Sequence, residues 1–282
     1  MKLKIIGRIL VFFLVILFYQ CKKSPENLTD NSVDPPAQAC RIIADVTETG
    51  QKIMEFNYND KNQLTEIISN GWNSDGSLLY FNKRTIEWNN KNQQVKVNYY
   101  KQNSPTEIEF YSEYEYDSQR QLIAIHNFNS KNQFISHEVR EYNIQGQLIK
   151  KIIDGVNSSI GFEYDGNGDL IKSGLLNSEG VIIKSHMVVY EYDVSRPAFT
   201  VSASHSSIYG EDIIRSMFMY DFTHSIHFCK RVYMYGAFGE LVSDSNFEIE
   251  KSNAEGYPEI IVRYVNGDQN LKATYQYLYN CN

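Results

Sequence analysis

A seven-residue unit recurs along this 282-residue chain and limits its fold more than any other feature. Each copy has an aromatic residue, a polar turn, and an aliphatic residue six positions after the aromatic one. It reads Tyr58-Asn-Asp-Lys-Asn-Gln-Leu64, Tyr116-Asp-Ser-Gln-Arg-Gln-Leu122, Tyr142-Asn-Ile-Gln-Gly-Gln-Leu148 and Tyr164-Asp-Gly-Asn-Gly-Asp-Leu170. Weaker copies run from Phe128 to Phe134, from Leu176 to Ile182 and from Tyr235 to Leu241. Trp88 opens another, read as having a turn one residue longer and ending at Val95, while Tyr192-Asp193 and Tyr220-Asp221 open two more that lack the glycine and leucine. Asp, Asn and Gly tolerate the left-handed backbone angles of tight hairpins. The unit therefore predicts a hairpin whose aromatic and aliphatic residues face each other across two strands, a pairing worth roughly 0.2 to 1 kcal/mol. With the Trp88 copy counted among them, the strong copies stand 22 to 30 residues apart, room for about two strands and two turns in each repeat.

Between the turns the residues alternate. From Glu107 to Asp117 one face carries Glu107, Glu109, Tyr111, Glu113, Glu115 and Asp117, and the other Ile108, Phe110, Ser112, Tyr114 and Tyr116. The same split separates Met54, Phe56 and Tyr58 from Glu55, Asn57 and Asn59, and Phe247 and Ile249 from Glu248 and Glu250. A barrel embedded in lipid must turn an apolar band outward. An acidic outer face argues instead for a water-soluble sheet around an aromatic interior. The expectation is an all-β fold: an antiparallel meander of repeated hairpins, curled or closed into a soluble barrel-like sheet, with almost no helix. Around Arg140 and Tyr142 the alternation is mixed, as expected of a strand at an edge or opening.

The N-terminus carries Lys2, Lys4 and Arg8 ahead of an apolar run from Ile9 to Tyr19, the pattern of a secretory signal. At 11 residues the run is short of the ~20 that a membrane-spanning helix needs. Cys21 follows directly, then Lys22, Lys23, Ser24 and Pro25, which resembles the cleavage site and lipid attachment point of a bacterial lipoprotein, with Phe18, Tyr19 and Gln20 in place of the usual small residue. The expected organisation is a signal peptide over residues 1–20, a lipid-anchored flexible tether over 21–39 and a repeat domain over 40–282. Removing residues 1–20 would shift the net charge from −7 to −10, which argues against nucleic acid as a partner.

The remaining cysteines are Cys40, Cys229 and Cys281. In an oxidising compartment they allow three single pairings. Cys40 with Cys281 is favoured, because a closing sheet brings first and last strands together and would constrain a loop nominally worth ~5 kcal/mol. Unpaired buried thiols are the other reading.

Candidate sites are few. Asp165, Asn167 and Asp169 resemble the start of a calcium loop, but Leu170 stands where such a loop needs glycine and Leu176 where it needs a bidentate Glu. His224, His227 and Cys229 carry metal-ligand chemistry, but strand alternation sends His224 to the opposite face, so no metal is expected. Ser204 and His205 lack a nucleophile elbow. Carboxylate pairs suited to glycoside hydrolysis exist in abundance, with no spacing to single one out. With 21 Tyr, 15 Phe and 2 Trp, the chain has aromatic rings to spare for a ligand. Trp72, in Asn70-Gly71-Trp72-Asn73, and Tyr275, Tyr277 and Tyr279, on one face of the last strand, are the candidate ligand-facing rings.

Cys40-Arg-Ile-Ile, Phe56-Asn-Tyr58, Gln63-Leu64, the later Tyr-Asp and Gly-Gln-Leu units and Gly256-Tyr257-Pro258 together resemble a family of Bacteroidota lipoproteins of unknown function with a porin-like β fold. The unit also resembles the tyrosine-aspartate (YD) repeat of Rhs-type shells. The resemblance implies a curled or closed antiparallel sheet and an outer-membrane lipoprotein facing periplasm or cell surface; it transfers no catalytic residue and no cofactor. The functional expectation is a non-catalytic binding module held at the membrane by its lipid, with a glycan, an apolar ligand or an envelope protein as partner. A polysaccharide-acting enzyme and a passive structural protein are the alternatives.

Overall fold

Hairpin units joined by alternating strands build one continuous antiparallel meander. The computed structural model describes residues 41–154, 159–197, 227–254, 256–266 and 268–280. The strands are β1 (Arg41–Val46), β2 (Lys52–Tyr58), β3 (Leu64–Trp72), β4 (Leu78–Trp88), β5 (Gln94–Tyr100), β6 (Ile108–Tyr116), β7 (Leu122–Asn129) and β8 (Phe134–Tyr142). They continue as β9 (Leu148–Ile153), β10 (Ser159–Tyr164), β11 (Leu170–Leu175), β12 (Val188–Pro197), β13 (His227–Tyr235), β14 (Leu241–Ser252), β15 (Pro258–Val265) and β16 (Asp268–Asn280). Every strand pairs with its sequence neighbour, and β1 pairs with β16, so the sheet closes into a 16-stranded barrel. No α-helix occurs among the described residues.

The turn chemistry explains why the unit is Asn- and Asp-rich. In the β2–β3 hairpin the Asn62 N–H donates to the Asn59 carbonyl at 2.9 Å, and Asn62 takes φ 62°, the left-handed conformation Asn adopts readily. The Asn59 side-chain oxygen accepts the N–H groups of Lys61 and Gln63, both at 3.0 Å. Asp117, Asn143 and Asp165 hold their turns in the same way, with Arg120, Gly146 and Gly168 at the left-handed position.

Behind each turn the aromatic residue pairs with the residue six later, as Tyr58 does with Leu64, Tyr116 with Leu122, Tyr142 with Leu148 and Tyr164 with Leu170. The register then slips by one residue: Asn57 pairs with Glu66, which leaves Thr65 as the extra residue of a β-bulge. The slip turns both Leu64 and Ile67 to the interior, where they are 2% and 1% exposed. The Trp88 copy corrects the sequence reading. Trp88 pairs with Gln94, six residues on, and Val95 is the bulged residue, so its turn has the ordinary length and a glutamine in the leucine's place.

Paired residues share a face, so the two walls can be assigned. The inner wall holds one buried cluster of Ile42, Met54, Phe56, Leu64, Ile67, Ile86 and Val97, and another of Leu148, Ile160, Phe162, Leu170, Val188, Tyr190 and Val232. The mixed strand around Arg140 is no edge, because β8 is paired on both sides, with β7 and β9. Arg140 points inward and its Nε donates to Glu138 at 2.6 Å.

Candidate functional site

The two ends of the barrel differ, and the difference lies in where the aromatic residues point. At the end formed by the β2–β3, β4–β5, β6–β7, β8–β9 and β10–β11 hairpins, where β12 also ends, the opening aromatic residues face inward. Each donates to a backbone carbonyl one repeat back. Tyr58 Oη reaches the Ile42 carbonyl at 2.8 Å, Trp88 Nε1 that of Leu64 at 2.8 Å, and Tyr116 Oη that of Gln94 at 2.8 Å. Tyr142, Tyr164 and Tyr192 do the same to Leu122, Leu148 and Leu170 at 2.8, 2.9 and 2.7 Å. Tyr279 of β16 adds a seventh, on the Pro258 carbonyl at 2.6 Å. Each acceptor residue adjoins a register slip, where the strand ladder is interrupted and a buried carbonyl needs another donor. Burial pushes the Tyr58 hydroxyl up to about 12 and Tyr279 higher still, so both remain donors at any physiological pH.

At the opposite end the aromatic residues that open the turns, Trp72, Phe128 and Tyr235, face outward. Trp72 lies on the outer face and its indole N–H donates to the Lys52 carbonyl at 3.0 Å. Phe128 stacks against Tyr111 at 5.1 Å and meets Phe134 edge-on at 6.0 Å. The residues after these turns stay in contact with solvent: Leu78 and Leu79, Phe134 and Ile135, and Leu241 and Val242 are each about half exposed, and Phe238 is almost fully so. An apolar rim thus marks this end.

Between the ends the outer wall is charged. Lys52 pairs with Glu55 at 2.8 Å, Lys83 with Glu66 at 2.7 Å, Lys150 with Glu141 at 3.1 Å and Lys172 with Glu163 at 2.6 Å. Arg231 makes a two-pronged contact with Asp244 at 2.8 and 2.6 Å, and that guanidinium holds the Asp244 carboxyl below the ordinary carboxylate range. In hydrocarbon each of these pairs would be desolvated.

The four candidate rings separate on this map. Tyr275, Tyr277 and Tyr279 lie on the inner wall, Tyr277 opposite Asp45 and Tyr279 opposite Ile42, both packed on the first cluster, and Tyr275 opposite Ile261. Trp72 stands outside, at the far end, so the four do not form one surface. Asp165 Oδ1 is taken up by the N–H groups of its own turn, and the buried Asp169 accepts from the His227 N–H at 2.9 Å and lies 2.6 Å from His227 Nδ1. Asp169 thus fastens the β10–β11 turn to β13. Cys229 is a free thiol packed on the second cluster, and burial pushes it up to about 12. Among the described residues no group of three His, Cys, Asp or Glu side chains is placed to hold a metal ion. Cys21, Cys40, Cys281, Ser204, His205, Tyr220 and His224 lie outside the described residues.

Sequence reasoning missed the glycines that shape the outer wall. Gly161 and Gly174 pair with each other, and a β-carbon on Gly161 would stand 2.4 Å from Leu176 Cδ2. The absence of side chains there lets Leu176 and Ile182, bridged to each other, lie against the sheet. It missed Asp45 as well, an inward-facing carboxyl 3% exposed in β1.

No family model matches the chain, and no curated protein matches it. Among solved structures it is similar to a porin-like protein from Bacteroides uniformis ATCC 8492, at 10% identity over 87% of this chain and 98% of that one, with a TM-score of 0.37. It is similar also to a porin-like protein from Bacteroides vulgatus ATCC 8482, at 10% identity over 85% and 99%, with a TM-score of 0.39. A third similarity, to the Photorhabdus luminescens Tc holotoxin pore, covers 83% of this chain and 17% of that one at 14% identity, with a TM-score of 0.24. Scores this low carry no functional argument, and the barrel stands on its own strand pairing.

Proposed function

We propose that this protein is an exported lipoprotein, anchored through Cys21 and a tether over residues 21–39, whose barrel stands in water at the envelope as a non-catalytic interaction module. The observation that carries this reading is the outer wall, lined by cross-strand ion pairs where a membrane barrel needs an apolar band. The basic, then apolar N-terminus ahead of Cys21 supports export and lipidation. The first described residue, Arg41, lies at the tyrosine end, where its guanidinium donates to Asn62 at 2.7 Å. The apolar rim of Leu78, Leu79, Phe134, Ile135, Leu241 and Val242 is at the other end, free for a partner. Its apolar character fits the apolar surface of an envelope protein better than a sugar, because the six rim side chains carry no hydrogen-bonding group.

A passive structural role is the second reading, and one observation favours it: the inward aromatic residues are spent on the barrel's own carbonyls. Labelling with radioactive palmitate in a Gram-negative host tests the anchor. Label on the wild type and none on Cys21→Ser is expected; label on neither would overturn the lipoprotein reading. Crosslinking in intact cells from a cysteine placed at Leu79 tests the module. A single reproducible envelope partner supports it, whereas no partner at any rim position would leave the passive role.

A further inference from the structure

Asp45 occupies the seam that closes the barrel. It lies on the inward face of β1, opposite Tyr277 of β16 on one side and Met54 of β2 on the other. Its carboxylate accepts backbone N–H groups of Gln276 and Val46, yet Oδ1 has no hydrogen-bond partner although it is fully buried. A buried acceptor left in this way is destabilising, and more so when it is charged. The inward faces of the flanking strands bring no cation to it: β2 presents Met54, Phe56 and Tyr58, and β16 presents Tyr275, Tyr277 and Tyr279. Lys52 points outward and is engaged by Glu55, which also faces outward, and Arg41 is bonded to Asn62 at the tyrosine end. The inner-wall cations nearest in strand order, Arg263 on β15 and Arg84 on β4, lie beyond these flanking strands. The ladder is irregular on both sides of β1, with slips between Ile42 and Ala44 toward β16 and between Asp45 and Val46 toward β2.

We propose that Asp45 makes closure of the barrel pH-sensitive: the protonated carboxyl suits the dry β1–β16 seam, and the carboxylate favours states in which the seam opens to water. Burial is the largest influence on the group and raises it from its ordinary 3.8 to about 7, against the opposing pull of two backbone N–H groups. The direction of the linkage follows. The closed seam keeps its proton up to about 7 while an opened seam releases it near 3.8, so closure is strongest at low pH, weakens as pH rises through this window, and weakens no further above it.

Hydrogen exchange on the full chain in mild detergent reads the opening directly. Protection of the Val46 and Gln276 amides, corrected for intrinsic rates, is expected to fall on the order of tenfold between pH 6 and pH 8.5 in the wild type. It should be flat in Asp45→Asn, and amides of the β8–β9 pair should be flat in both. A flat wild-type seam, or the same slope in Asp45→Asn, would overturn the proposal. If that variant does not fold, carbon-13 titration of the wild-type carboxyls still decides. A resonance with a midpoint near 7, coincident with the loss of protection, supports the switch, whereas only ordinary midpoints near 4 would refute it.

Discussion

The Tyr142 hydroxyl donates to the Leu122 carbonyl at 2.8 Å, and through that bond one repeat corrects the backbone defect of the one before it. The bulge after Leu122 interrupts the ladder, and the next aromatic residue supplies the missing donor. This accounts for Tyr or Trp, and never Phe, among the inward-facing members of the ring, and for Phe128 being tolerated at the opposite end. Tyr142→Phe keeps the ring and removes the donor, and it is expected to lower unfolding free energy by about 1–2 kcal/mol in urea titration. Tyr235→Phe, on the outward-facing set, should stay within about 0.5 kcal/mol. Equal losses at the two positions would contradict the role given to the ring.

Leu148 and Leu170 are wholly buried partners of the ring, at 0% exposure. Truncation of either to alanine should cost about 2–5 kcal/mol, the range for deleting a buried leucine side chain. The same change at Leu241, half exposed on the rim, should be almost silent in stability and visible, if anywhere, in partner binding.

Gly161→Ala places a methyl group against Leu176 and should force the 176–187 segment away from the wall. A loss of roughly 1–3 kcal/mol, with new protease cleavage after residue 176, is the expected result. An unchanged digestion pattern would show that the glycine pair is not what seats that segment.

The Cys229 thiol, raised to about 12, stays protonated at pH 8 and is expected to react slowly with iodoacetamide until the barrel is unfolded. Modification at the rate of a free thiol in the folded protein would contradict its packing on the second cluster.

The register at the seam extends the cysteine argument. Arg41 pairs with Asn280, and Cys40 and Cys281 are their immediate neighbours in sequence. Non-reducing peptide mapping should recover a linked pair containing both residues; a Cys40 or Cys281 peptide bonded to Cys229 would exclude it.

Much of this architecture was legible in the chain. Period-two alternation assigned the two walls correctly in β2 and, from Phe110 onward, in β6, whereas Ile108 pairs with the outward Tyr100 across a slip, and the turn residues located the hairpins. The one-residue slip behind each turn was not legible. It reverses alternation locally, so Leu64 and Ile67, three apart, point the same way, and Val95 looked like the partner of Trp88 when Gln94 is. The ring of donors was hidden because its acceptors are main-chain carbonyls, which any residue can provide, including Gln94 and Pro258. Closure also removed the edge that Arg140 seemed to require, because an inward ion pair with Glu138 satisfies that side chain inside a barrel. Among the candidate rings, sequence placed Tyr275, Tyr277 and Tyr279 together on one face but gave no sign of whether that face was turned toward solvent or toward the core.

The central claim is that this barrel, with its charged wall, lives in water and is held to a membrane only by its N-terminus. Its most direct test is phase partition in Triton X-114 of the full chain, isolated from membranes, before and after cleavage at a protease site inserted within residues 24–39. The account predicts that cleavage moves the barrel from the detergent phase to the aqueous phase, still folded. A barrel that stays in detergent once its tether is cut would contradict it.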